Sequence, residues 1–161
     1  MTIYKNIVLG AALLAGLTAG AQAQSPGKAT VAVVSAQVSP AHVGRGGKGV
    51  LTVTLAVAPQ FHVNAHKTND PDLIATDFVP SAPVGVTFGA VHYPAPHSLS
   101  LDGKPTPVYV GRTTFSVPFT VAKTAKAGAR ALGGQLTYQG CNAASCFPPR
   151  TVAAKALVSI R

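Results

Sequence analysis

The sequence predicts an all-β fold, an immunoglobulin-like β-sandwich of about eight strands. Three observations carry this expectation. Apolar and polar residues alternate with a period of two through most of the chain after Gly27. Clusters rich in Gly, Pro and Asp interrupt the alternation at short intervals. Beyond the first two dozen residues there is no convincing 3.6-residue periodicity. A small closed β-barrel satisfies the same pattern and is the alternative architecture.

Residues 1–23 stand apart and read as a signal peptide. Lys5 gives a positive start, Ile7 to Leu17 an apolar stretch, and Ala21-Gln22-Ala23 the small-x-small pattern that signal peptidase needs. The stretch is short for a membrane anchor, and no later segment approaches spanning length, so the remainder is not expected to be membrane-embedded. Residues 24–161 then form one domain, long enough to bury a core without disulfide support.

Within that domain the strands follow in order. The first is expected over residues 30–38, followed by a glycine-rich turn at Gly44 to Gly49. Leu51, Val53, Leu55 and Val57 share one strand face, with Thr52, Thr54 and Ala56 on the other. A short strand is expected at 61–65 and a turn at Asp70-Pro71-Asp72. Val84, Val86, Phe88 and Ala90 alternate again, and residues 94–107 read as a long Pro/Gly-marked loop before a short strand at 108–110. Phe115, Val117, Phe119 and Val121 line one face of the strand 113–121, and residues 120–128 leave room for one short turn. Strands at 132–138 and 152–160 close the chain. The Cys…Trp…Cys signature of antibody domains is missing, since the sequence contains no Trp.

Thirteen Lys and Arg against four Asp and Glu give a formal charge of +9. The basic residues are scattered singly, without a basic run or interleaved aromatics, so the charge does not point to nucleic acid. Solubility and a mild preference for acidic surfaces account for it.

The only two cysteines, Cys141 and Cys146, are separated by four residues and lie between the last two strand candidates, at a hairpin end. In an exported protein they read as one disulfide. A loop this short removes little unfolded-chain entropy, on the order of 2 kcal/mol, whereas a staple gains more by joining distant strands. Short-loop bridges are also easily strained and reduced. Pro148-Pro149 stiffens the exit and withholds ladder donors. Spacing and compartment leave the structural and reactive readings both open.

The surrounding residues carry a resemblance. Tyr138-Gln139-Gly140-Cys141, followed by Cys146-Phe147-Pro148-Pro149, resembles the cysteine motif of the amino-terminal periplasmic domain of the thiol–disulfide interchange protein DsbD. Phe61-His62-Val63-Asn64, Asp70-Pro71-Asp72-Leu73-Ile74-Ala75-Thr76, Tyr93-Pro94 and Val108-Tyr109-Val110-Gly111 are similar to further segments of that family, with Ala75 in place of its proline. Order and spacing agree over roughly residues 30–160. The cysteine motif is the specific part of this resemblance; the other segments are weak singly.

The resemblance implies an immunoglobulin-like sandwich in the periplasm, with the cysteines at one end under a shielding loop. It implies thiol–disulfide exchange in which Cys146 forms the mixed disulfide and Cys141 resolves it. Tyr138, Phe147, Phe61, Asn64, Tyr93 and Tyr109 are the candidate site-shaping residues, and Leu99 and Leu101 join Tyr93 and Tyr109 as candidate cover from the 94–107 loop. This chain shows neither the family's membrane electron carrier nor its thioredoxin-like domain, so separate chains are expected to supply both the carrier and the thioredoxin-fold partners. A relay module is therefore a better description than an enzyme, and a non-enzymatic binding module with a structural disulfide is the alternative.

No cofactor or metal is expected. His62, His66, His92 and His97 with the two cysteines allow a Cys2His2 zinc site on paper. Four residues between cysteines is loose ligand spacing, and exported pairs usually oxidise. Copper carriers lean on methionine, and Met1 is the only one. Arg150, four residues beyond Cys146, is a candidate for lowering a thiol pKa, with a solvated strand-start charge as the plainer reading.

Overall fold

The computed structural model describes residues 31–161 apart from residue 102. The signal-peptide reading falls on residues 1–23, outside the described part. The described residues form twelve strands: β1 (Ala32–Ser39), β2 (His42–Val43), β3 (Lys48–Val57), β4 (His62–Asn64), β5 (Asp77–Ser81) and β6 (Val86–Phe88), then β7 (His97–Leu101), β8 (Lys104–Tyr109), β9 (Arg112–Val121), β10 (Gly128–Tyr138), β11 (Gly140–Cys141) and β12 (Arg150–Ile160). They make three four-stranded sheets, ordered β1-β3-β9-β6, β2-β12-β10-β5 and β11-β4-β8-β7. Every pairing is antiparallel except β2 with β12. Each sheet keeps two edges, so the sandwich forms and the closed-barrel alternative does not. No helix among the described residues is long and apolar enough to cross a membrane.

Alternation places the core. On β3, Leu51, Val53 and Leu55 are completely buried, and register sets Leu51 opposite Val117 and Val53 opposite Phe115 on β9. Leu132, Leu136 and Tyr138 of β10, with Ala154, Val158 and Ile160 of β12, bring the inward residues of the second sheet. Cross-strand neighbours on one face and a facing sheet close the apolar layer, the geometry that stabilises sandwiches. The third sheet issues from the end where β3 and β10 finish and β12 begins, and its strand β11 carries Cys141.

Three expectations change. Residues 94–107 are not an irregular loop but most of a hairpin, β7–β8, turning through Gly103 at φ 76°. Pro105 and Pro107 disguised it. They sit opposite Ser100 and Ser98 of β7 with their carbonyls turned away from that strand, accepting from Asn69 Nδ2 at 2.6 Å and the Ala65 N–H at 3.0 Å. In a strand the amide nitrogen points the same way as the carbonyl, so the missing N–H costs no β7 bond. Residues 84–90 yield only β6, because Gly85 at φ 86° turns the chain and leaves Val84 97% exposed. Strand β5 escaped notice because Pro80 interrupts it; it pairs only with β10, as an edge. Between β9 and β10 the expected short turn is present, with the Ala125 N–H donating to Ala122 O at 3.1 Å.

Candidate functional site

Strands β10 and β12 pair along their whole length, from Gly128 opposite Ile160 to Tyr138 opposite Arg150. The connection between them folds back on itself. After Gln139 the chain joins β4 as β11, with Gly140 opposite Val63 and Cys141 opposite His62. It then reverses through residues 142–145 so that Cys146 faces Cys141 in an antiparallel bridge. Two backbone bonds flank the cysteines: the Phe147 N–H donates to Gly140 O at 2.8 Å and the Asn142 N–H to Ser145 O at 3.0 Å. The cysteines thus occupy the close, non-hydrogen-bonded type of antiparallel pair, Cα atoms 4.0 Å apart, and are joined as a disulfide.

The tip is set by Asn142, whose Oδ1 accepts from the N–H groups of Ala144 and Ser145 at 2.8 and 2.9 Å. Such a side-chain cap fixes a turn locally. Gly140 is required by packing: a Cβ there would run into the Val31 side chain. The two sulfurs differ in access. Cys141 is 2% exposed, whereas Cys146 is exposed on the rim.

Two open depressions meet at the disulfide. One, of about 420 Å³, is lined by both cysteines with His62, Ser100, Leu101 and Asn142. The other, of about 260 Å³, lies against Cys146 and includes Asp70, Leu73, Leu101 and Lys104. Leu101 at the tip of the β7–β8 hairpin belongs to both. His62 is 5% exposed, its Nε2 has no hydrogen-bond partner among the described residues, and burial pushes its pKa below the ordinary 6.5.

Below the disulfide a polar knot ties three segments. Gln139 Oε1 accepts from Asn64 Nδ2 at 3.1 Å and from the Ile74 N–H at 3.2 Å, and Gln139 Nε2 donates to Phe147 O at 3.3 Å. Asn64 is fully buried; its Nδ2 also reaches Ile74 O at 3.1 Å, and its carbonyl accepts from Thr76 Oγ1 at 2.6 Å. Phe61 and Phe147, both half-buried, contact each other with centroids 5.9 Å apart, and Tyr138 is 1% exposed in the core.

Tyr93 and Tyr109 lie elsewhere. Both rings pack on Phe115, at 5.3 and 5.7 Å, and neither lines the depressions at the disulfide. Tyr93 stacks on His66 at 3.7 Å, donates to Asp77 Oδ1 at 2.8 Å and accepts from the Phe78 N–H at 2.8 Å. Burial, with Asp77 adding to it against the opposing Phe78 bond, pushes its phenol up to about 12. Tyr109, whose hydroxyl donates to Pro94 O at 3.3 Å, is also pushed up by burial. Of the four expected cover residues only Leu101 meets the disulfide, and Leu99 sits half-buried one position behind Ser100.

In the sequence Gln139 carries no assigned role, and His62 reads as an edge or loop residue near the cysteine end. Gln139 stands within the cysteine motif, and its position between a core tyrosine and a glycine was the available signal. His66 is engaged with Tyr93 and lies 3.5 Å from Asp77, away from His62 at the disulfide. Among the described residues no three His, Cys, Asp or Glu side chains form a metal-holding group. Arg150 is exposed at the start of β12 and lines neither depression.

Several solved structures are similar to this chain. The N-terminal periplasmic domain of ScsB from Proteus mirabilis is 15% identical, with a TM-score of 0.45, over 78% of this chain and 43% of that one. This chain therefore spans less than half of that ScsB chain. The reduced N-terminal domain of DsbD from Neisseria meningitidis is 16% identical, with a TM-score of 0.34, over 68% of this chain and 75% of that one. The seventh ScaB type I cohesin from Pseudobacteroides cellulosolvens is 13% identical, with a TM-score of 0.46, over 80% and 92%. No curated protein matches the sequence. The family model for the N-terminal region of the thiol:disulfide interchange protein DsbD matches residues 29–157, from before β1 into β12 and through both cysteines, and the chain therefore belongs to the DsbD N-terminal domain family.

Proposed function

We propose that this domain is a periplasmic thiol–disulfide exchange module that relays electrons through Cys141 and Cys146. The observation that carries the reading is the unequal pair: Cys146 exposed on the rim and Cys141 buried beside it in a turn that Asn142 holds. Exchange needs one sulfur that a partner thiolate can approach in line, and a second close enough to resolve the mixed disulfide.

In the accepting direction, a partner thiolate attacks Cys146 Sγ, the Cys141–Cys146 bond breaks, and Cys141 departs as thiolate. A second partner thiolate then attacks its own sulfur in the mixed disulfide, releasing Cys146 reduced. Two electrons enter the pair and the partner leaves oxidised. The donating direction reverses these steps, with Cys141 resolving the mixed disulfide. Membership of the family supports thioredoxin-fold proteins as partners and a membrane carrier as the electron source. The signal-peptide pattern at residues 1–23 and the family's periplasmic setting support export.

Trapping tests the proposal. The Cys141→Ser variant, incubated with periplasmic extract, is expected to hold a thioredoxin-fold protein in a disulfide that dithiothreitol releases, while Cys146→Ser holds none. If neither variant captures a partner and the wild-type bridge resists glutathione and reduced thioredoxin-like proteins, the pair is a structural clamp.

A further inference from the structure

We infer that His62 is the acid–base residue of the exchange, carrying the proton of Cys141 while that sulfur makes and breaks its bond. This inference deepens the proposed function and rests on it.

The reaction makes a demand on its buried sulfur. Cys141 is 2% exposed, so its thiolate is poorly solvated. Whichever way electrons flow, the thiol proton must be removed before Cys141 attacks and returned after it leaves. A base within reach of Sγ meets both needs.

His62 is in the position to do so. It is the register partner of Cys141 across the β4–β11 ladder, and directly opposed residues hold their Cβ atoms about 4.5–5.5 Å apart. Both side chains line the same depression. The imidazole is 5% exposed, and its Nε2 is buried without a hydrogen-bond partner among the described residues, the disulfide sulfurs included, an arrangement that costs stability and calls for a role. Burial also holds the ring neutral near physiological pH, the form that accepts a proton. Among the described residues, the other titratable side chains lining these depressions, Asp70 and Lys104, stand on the Cys146 side, and His62 is the described titratable side chain other than cysteine on the Cys141 side.

His62 Nε2 takes the proton from Cys141 Sγ, and the thiolate attacks Cys146 Sγ in the mixed disulfide. The Cys141–Cys146 bond forms, the Cys146–partner bond breaks, and the partner sulfur leaves as thiolate with two electrons. The imidazolium then passes its proton to that thiolate or to water. In reverse, the protonated ring supplies the proton to departing Cys141.

A chromogenic aromatic disulfide that releases thionitrobenzoate isolates this step. Reduced protein reacts first at Cys146, releasing one thionitrobenzoate; ring closure by Cys141 releases the second as a first-order phase. In the wild type the closure rate is expected to rise through the lowered imidazole range and level off near neutrality. In His62→Gln it should fall about 100-fold at neutral pH. The variant should then climb with pH and converge on the wild type once the thiol ionises unaided. A packing defect would instead slow closure at every pH by a similar factor, which overturns the inference while leaving the exchange function standing. In the wild type the His62 ring resonances in the reduced protein should titrate with the midpoint of the closure rate, and a mismatch also overturns it. If wild-type protein shows no second phase, the inference and the exchange function fall together.

Discussion

Asn64 Nδ2 donates to Gln139 Oε1 at 3.1 Å, and this bond joins the strand that pairs with Cys141 to the residue that leads into β11. The same Nδ2 reaches Ile74 O, so one buried amide satisfies two acceptors from different segments. Replacing Asn64 with Asp keeps the shape and presents acceptors to both. Unsatisfied buried groups cost about 1–3 kcal/mol, and more when charged. Asn64→Asp is therefore expected to lower stability at neutral pH by more than Asn64→Ala, read from urea midpoints with an unchanged slope. An Asp variant as stable as the wild type would mean the amide's bonds contribute nothing.

Gly140 and Val31 give a second test. A methyl group at residue 140 meets the Val31 side chain, and overpacking of this kind costs about 1–3 kcal/mol. Gly140→Ala should destabilise by that amount. Combined with Val31→Ala it should destabilise by less than the two single changes added together, because the methyl then enters the space Val31 vacates. Strict additivity in a double-mutant cycle would separate the two residues energetically.

The sandwich was legible in the sequence because its strands bury one face each. Leu51 to Val57 and Phe115 to Val121 write the period of two directly, and both appear as expected in the core. The third sheet was harder to read. Its strands are short or carry proline, and β8 keeps Pro105 and Pro107 only because its partner β7 does not need their amides. The cysteine pair and its hairpin setting were visible, since both are local. The bond of Gln139 to Asn64 and the pairing of His62 with Cys141 were not, because both join residues far apart in the sequence. Tyr93 and Tyr109 were placed near the cysteines by family likeness, while packing on Phe115 takes them elsewhere.

Leu101 offers a kinetic prediction. It is the one cover residue shared by both depressions around the disulfide, and it is half-buried at a hairpin tip. Truncating it should expose Cys146 further while removing little core. Leu101→Ala is expected to speed reduction of the disulfide by glutathione several-fold, with a stability loss below about 1 kcal/mol. Unchanged reduction kinetics would show that the hairpin tip does not limit access to Cys146.

Alkaline pH reports on the Tyr93 cluster. Its phenol is raised from the ordinary 10.0 to about 12, chiefly by burial, with Asp77 accepting its hydrogen bond and adding to the rise. Tyr109 shifts in the same direction by burial. A raised folded-state pKa means that the unfolded chain gives up the proton first. The stabilisation is thus complete below about pH 10 and drains away as pH climbs toward 12. Tyr93→Phe removes the ionising group together with its bonds to Asp77 and the Phe78 N–H. It should be less stable at neutral pH, by about 0.5–1.5 kcal/mol for each bond lost, yet lose stability less steeply in the alkaline range. Denaturant midpoints at a series of pH values, with tyrosinate absorbance followed in parallel, measure both effects. Equal slopes for the two proteins would mean that Tyr93 ionises as readily folded as unfolded, and that its stacking on His66 leaves the phenol open to solvent.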